Sequence, residues 1–196
     1  MVGRRDPRDW TGAIIAGGLA RRFGGRPKWA LEVGGRRIID RQLDALQAVV
    51  GTTLIVVSED VAAPDLPVRV VTDVIPGGAL GGVYTALASA STPRVIVLAC
   101  DMPFVTAPLL ERLAEIGETA EAAVPRTEEG LQPLCASYMR DCAGRLRERL
   151  ERGERRLLDA LGDLRVVELG PEEWLAFGSS SFANLNTPDD LARISS

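Results

Sequence analysis

Six short apolar runs constrain the fold of this chain: AIIA at 13–16, TLIVVS at 53–58, VRVV at 68–71, RVIVLAC at 94–100, AAVP at 122–125 and LRVVEL at 164–169. Several are continuous and β-branched rather than alternating with polar residues, the pattern of strands buried on both faces of a parallel sheet. Between them Ile39, Leu43, Leu46 and Val50 recur at helical spacing, as do Leu109, Leu113 and Ile116, while Leu146, Leu150 and Leu157 mark one or two further helices. Strand and helix signals in alternation predict an α/β fold. A closing helix is signalled by Thr187 as cap, Pro188 at the first helical position, and Asp189 and Asp190 in the first turn, where carboxylates complement the helix dipole. At 196 residues, 46% of them hydrophobic, the chain is sized for one domain over 1–196. Residues 1–10 read as a flexible lead-in.

The absence of histidine removes every mechanism built on a Ser/His or Cys/His pair and leaves carboxylates, lysine, arginine and metal ions for any chemistry. Cys100, Cys135 and Cys142 are an odd number without CxxC spacing, which argues against zinc and disulfides and fits a reducing cytosol. The stretch TGAIIAGGLA is too short for a membrane span and ends in glycines rather than a processing site, so neither membrane nor secretion is expected. A net charge of -4 argues against broad nucleic-acid binding, yet residues 1–41 hold ten Lys/Arg against four Asp/Glu. That basic excess suits either a small, highly anionic ligand or a solvated face.

The segment IIAGGLARRFGGRPKWALEVGG, which continues the first run, has the layout of a phosphate cradle. Gly17 and Gly18 permit a tight turn that presents backbone N–H groups, Gly24 and Gly25 leave the loop free to wrap, and Arg22 and Lys28 supply charge. It is not a Walker A loop, since Pro27 precedes Lys28 and Trp29 follows it, and no register gives GxGxxG. A connecting turn would explain the glycines but not the flanking cations. Lys28 is the sole lysine beside twenty-two arginines, and a compact ammonium meeting phosphate oxygens as a point charge is a physical reason to keep one.

Asp101 stands where RVIVLAC ends, at the edge where open parallel sheets place their ligands. It suits a magnesium ligand and also a turn-forming aspartate ahead of Pro103. Asp73 follows another run and precedes Gly77, Gly78, Gly81 and Gly82, a cluster that lets backbone approach a base or ribose, or that makes a glycine-rich turn. Asn184 and Asn186 in FANLNTPDDL fit two roles, closing the site or forming Asx turns that start the last helix.

These segments resemble a known family. IIAGGLARRFGGRPK is similar to the LAGGxxxRxGxxK loop of the nucleotidyltransferase superfamily that includes sugar-nucleotide pyrophosphorylases, and most closely to that of the molybdenum cofactor guanylyltransferases. CDMPF at 100–104, QPLCASY at 132–138 and NLNTPDDL at 184–191 match further motifs of that family in order and spacing. Two positions depart from it: Pro27 where the family often has Asp, and Ser58 near a common asparagine. The resemblance implies a three-layer α/β/α Rossmann-like fold with a mostly parallel central sheet. It implies transfer of GMP from GTP to molybdopterin, with Mg²⁺ as cofactor on Asp101 and with Lys28, Arg22 and Asp101 as catalytic residues. It further implies that Ile15, Ala16, Gly17, Gly18, Ser58, Asp73 and Gly82 join these in binding GTP, while Gln132, Pro133, Asn184 and Asn186 face molybdopterin. Cofactor-delivery proteins would be further partners of a cytoplasmic enzyme, with no nucleic acid or membrane involved. The same loop serves molybdopterin cytidylyltransferases and transferases acting on sugar or lactyl phosphates, and a non-catalytic GTP- or cofactor-binding adaptor is the reading from another class.

Overall fold

All six apolar runs lie in one central sheet of the computed structural model, which describes residues 6–17, 19–20, 26–185 and 190. The first run is β1 (Trp10–Ile15). In the segment that follows it, β2 (Leu19–Ala20) pairs with β3 (Arg26–Pro27) and β4 (Glu32–Val33) with β5 (Arg36–Arg37) as two short ribbons. The middle of the chain forms α1 (Ile38–Gln47), β6 (Thr52–Val57), β7 (Arg69–Thr72), α2 (Gly78–Ser89), β8 (Arg94–Ala99) and α3 (Ala107–Gly117). The remainder forms β9 (Ala122–Thr127), β10 (Gly130–Leu131), β11 (Cys135–Met139), α4 (Ala143–Glu151), α5 (Leu157–Leu161), β12 (Val166–Leu169) and α6 (Pro171–Trp174).

The strand order is β10-β9-β11-β8-β1-β6-β7, and β12 also pairs with β9. β7, β6, β1 and β8 are parallel, as are β12 and β9. β11 runs against both of its neighbours, β8 and β9, so the sheet is mostly parallel with one reversed strand in its interior. Successive residues of β6 separate the two faces: Ile55 and Val57 join the cluster of α1 and α3, Leu54 and Val56 that of α2, α4 and α5. This is the expected three-layer arrangement in a single domain. From β1 the chain passes through α1 to β6 and β7, then returns through α2 to β8 on the far side of β1. Such a reversal opens a crevice at the carboxyl ends of the strands that flank it.

Periodicity does not reveal two elements. In α2 every residue from Leu80 to Leu87 is buried, so no polar face exists to produce an amphipathic signal. The cluster that reads as a glycine-rich turn is therefore mostly helix, with Gly77 as its N-cap and Gly78, Gly81 and Gly82 inside it. β11 is short and carries Ala136 and Ser137 where a strong strand signal would need large apolar residues. Within residues 1–10, read from the sequence as a flexible lead-in, the described part carries defined structure. Pro7–Asp9 form a 3₁₀ turn, and Trp10 is fully buried with its indole N–H donating to Glu118 at 3.0 Å. Thr187, Pro188 and Asp189 of the expected closing helix lie outside the described residues. Among those described, no helix is long and apolar enough to cross a membrane.

One surface ion pair has a predictable pH signature. Glu121, just before β9, accepts from Arg145 at 2.7 Å and from the Arg165 backbone N–H at 2.7 Å, which together lower its pKa from 4.5 to about 2. A carboxyl whose pKa is depressed on folding stabilises the fold fully above its unfolded value, and loses that contribution as pH falls through the folded one. Urea unfolding of Glu121→Gln should therefore show a smaller loss of stability between about pH 4.5 and about pH 2 than the unaltered protein.

Candidate active site

The crevice holds two adjoining clefts. The first, of about 340 Å³, lies at the carboxyl ends of β1, β6, β7 and β8 and is lined by Ile15, Gly17, Lys28, Ser58, Asp73, Asp101 and the Pro76–Ala79 segment. The second, of about 420 Å³, is lined by Gln132, Pro133, Asn184, Arg155, Arg156 and Leu158 among others. Ala79, Ala99, Asp101 and Leu134 belong to both. Residues far apart in the sequence thus converge, and Asp101 stands on the wall the two clefts share.

Each functional side chain is set by the strand that delivers it. β1 ends with the Ala16 N–H donating to Val56 at 2.7 Å and the Ile15 carbonyl accepting from Cys100 at 3.1 Å, so Ile15 and Ala16 are tied to both neighbouring strands. Ala16 is fully buried, whereas Ile15 and Gly17 reach the cleft. Ser58, one residue past β6, donates its hydroxyl to the Gly17 carbonyl at 2.6 Å. A Cβ at Gly17 would collide with that hydroxyl oxygen, so the glycine is needed for close approach to Ser58. Ser58 thereby anchors the loop rather than offering a free group to a base.

Lys28 reaches back across the loop. Its Nζ donates to Asp101 Oδ2 at 2.8 Å, and both side chains are about 20% exposed. Asp73 extends the β6–β7 pairing through its backbone N–H, which donates to Val57 at 2.9 Å. Its Oδ1 is buried without a hydrogen-bond partner among the described residues. Burial raises the Asp73 pKa above its ordinary value, partly offset by a hydrogen bond with Thr85. Cys100, beside Asp101, is also buried, and its thiol is pushed up to about 12. All three cysteines are free and buried, and Cys100 and Cys135 hold thiols too basic to act as nucleophiles.

The donor set fits magnesium. Among the described residues no three His, Cys, Asp or Glu side chains come together, and Asp101 is a single carboxylate lining the cleft that could hold an ion together with phosphate oxygens and water. Magnesium is habitually bound by one or two carboxylates plus substrate phosphates.

Gly82 takes a different place from the one the motif implies. It is buried within α2, where an added Cβ would come within 2.7 Å of Ile15 Cγ2, so it lies beneath Ile15 rather than on the cleft wall. Pro76, Gly77, Gly78 and Ala79 line the cleft instead. Gly18, Arg22, Gly24, Gly25 and Asn186 lie outside the described residues. Sequence reasoning assigns no role to Arg155, Arg156 and Leu158, which sit in a stretch marked only by its leucine spacing. Arg155 donates to the carbonyls of Leu150 at 2.7 Å and Glu154 at 3.0 Å.

Comparisons with known proteins agree with this geometry. Residues 12–166 match the model of the MobA-like NTP transferase domain. A protein of Chloroflexus aggregans named probable molybdenum cofactor guanylyltransferase is 40% identical over 190 residues, covering 92% of this chain and 91% of that protein. One of the same name from Pelotomaculum thermopropionicum is 36% identical over 186 residues, covering 93% and 90%. The crystal structure of molybdopterin-guanine dinucleotide biosynthesis protein A from Archaeoglobus fulgidus superposes with a TM-score of 0.79 at 28% identity, covering 94% of this chain and 96% of that one.

Proposed function

The chain belongs to the MobA-like NTP transferase family and is a nucleotidyltransferase, and from that premise we propose that it transfers GMP from GTP to the terminal phosphate of molybdopterin. The observation that carries the proposal is the place of Asp101 on the wall common to two clefts, one for each substrate. An oxygen of the acceptor phosphate attacks the α-phosphorus in line, the bond from that phosphorus to the bridging oxygen breaks, and pyrophosphate leaves with the electron pair. No protein nucleophile is required.

GTP occupies the first cleft. The loop backbone around Gly17 receives its phosphates, with Lys28 as the mobile charge that follows them and Arg22 assigned to the same task by its place in the motif. Asp101, together with phosphate oxygens, would hold Mg²⁺, which would supply charge neutralisation at the phosphates. Asp73 favours guanine. An ionised carboxylate only accepts hydrogen bonds, and guanine presents adjacent N1–H and N2–H donors where cytosine presents acceptors. Asp73, which lines the first cleft, therefore suits a purine with a donor edge. Molybdopterin takes the second cleft, which Gln132, Pro133 and Asn184 line together with Arg155 and Arg156, cations suited to its anionic groups.

Pyrophosphate release with Mg²⁺ and molybdopterin tests the reading. Turnover is expected with GTP and, at equal concentration, at least about a hundredfold less with CTP, since a site built to pair a buried polar group discriminates strongly against a ligand that leaves it unpaired. Release with CTP alone would remove the guanylyl assignment, and GTP binding without release would favour an adaptor.

A further inference from the structure

The buried face of α1 contains one polar residue. Ile38, Ile39, Leu43, Ala45 and Leu46 are apolar, and between them Gln42 is only 1% exposed. Its amide Nε2 donates to the Ala99 carbonyl at 2.7 Å and to the Met102 carbonyl at 3.0 Å. Those carbonyls lie on either side of Cys100 and Asp101, at the two ends of the turn that follows β8. The turn's own bond, from the Met102 N–H to the Ala99 carbonyl, is long at 3.4 Å, so the glutamine amide is the shorter link across it.

The other end of the same amide gives the second indication. Gln42 Oε1 is buried and has no hydrogen-bond partner among the described residues. An unpaired acceptor in a core is unfavourable, and an apolar side chain of similar length would avoid it. A glutamine held there despite that cost has its two N–H groups as its use. Both are directed to the turn that presents Asp101, whose backbone carbonyl is fixed on the opposite side by the Leu185 N–H at 2.8 Å.

We infer that Gln42 is a positioning residue for Asp101, stapling the Ala99–Met102 turn so that the carboxylate is held between the two clefts. The inference rests on the reading of Asp101 as the metal ligand. Gln42 touches neither substrate and acts through the backbone, in the manner of the outer partners that orient metal ligands.

The test uses the full chain with Gln42→Met, which keeps length and removes the donors, and with Gln42→Leu as the alternative should the first fold poorly. Mn²⁺ binding in the presence of GTP is followed by electron paramagnetic resonance, metal-free GTP binding by calorimetry, and amide hydrogen exchange over residues 99–102 by mass spectrometry. The expected result is a Mn²⁺ dissociation constant about tenfold higher, metal-free GTP affinity within about twofold, and faster exchange in the turn. Unchanged exchange and unchanged Mn²⁺ affinity, even with a lower melting temperature, would reduce Gln42 to a core residue and overturn the inference. Asp101→Asn is the control. If that substitution also leaves Mn²⁺ binding intact, the metal assignment of Asp101 fails, and the exchange rate of the turn alone then decides whether Gln42 positions it.

Discussion

Asp101→Asn is expected to lower turnover by roughly 10³-fold or more while leaving the fold in place, a loss of about 4 kcal/mol of transition-state stabilisation. Asparagine has the same shape but no charge, so it is a poor magnesium ligand and offers nothing against the positive potential of the loop. The backbone ties of the residue, its carbonyl to Leu185 and the neighbouring Cys100 N–H to Ile15, do not depend on the side chain. Lys28 loses one ion-pair partner, and because both groups keep contact with solvent the cost in stability should be only about 1 kcal/mol. Steady-state pyrophosphate release against Mg²⁺ concentration, with urea unfolding alongside, separates the two effects. An Asp101→Asn enzyme retaining more than about a tenth of normal turnover would contradict the assignment, because a group that stabilises reacting charge costs far more than that when removed.

Lys28→Arg and Lys28→Ala form the second informative pair. The ammonium donates to Asp101 at 2.8 Å, and on the proposed reading it serves the nucleotide phosphates as a point charge. Lys28→Ala is expected to reduce kcat/KM for GTP by about 10² to 10³-fold, the magnitude found when one preorganised stabilising group is removed. Lys28→Arg should recover only a small part of this, because a planar guanidinium is bulkier and prefers bidentate contacts to those of a point charge. If the arginine variant matched the unaltered enzyme, charge alone would suffice. The single lysine among so many arginines would then be a matter of chance.

Much of this arrangement is legible in the amino-acid sequence. β1, β6, β8 and β9 are readable because residues buried on both faces of a sheet must be apolar without interruption. β7 and β12 are readable by β-branched runs although they are partly exposed, and Ile39, Leu43 and Leu46 disclose α1 because one face of that helix is wet. Lys28 and Asp101 can be picked out by chemistry and by their places past β1 and β8. α2 is not legible, since a helix with neighbours on almost every side has no polar stripe, and its glycines resemble those of a turn. Gly82 illustrates the same limit: the motif brings it near the site, and only the packing of α2 on β1 shows that it lies under Ile15. The resemblance assigns Ser58 to the base pocket; Ser58 lines the first cleft, and only the structure shows its hydroxyl donating to the Gly17 carbonyl.

The sequence by itself determined the α/β class and singled out the glycine-rich loop with Lys28 and Asp101 as the candidate site, because burial pattern and side-chain chemistry are local properties. Only the tertiary structure decided that Asp101 lines two adjoining clefts, that Arg155, Arg156 and Gln132 line the same one, and that the Gln42 amide bonds the turn that carries Asp101. Those relations join residues far apart along the chain. They follow from the reversal of strand order at β1 and from the insertion of β11 beside β8, and no spacing within the sequence encodes which strand ends will meet.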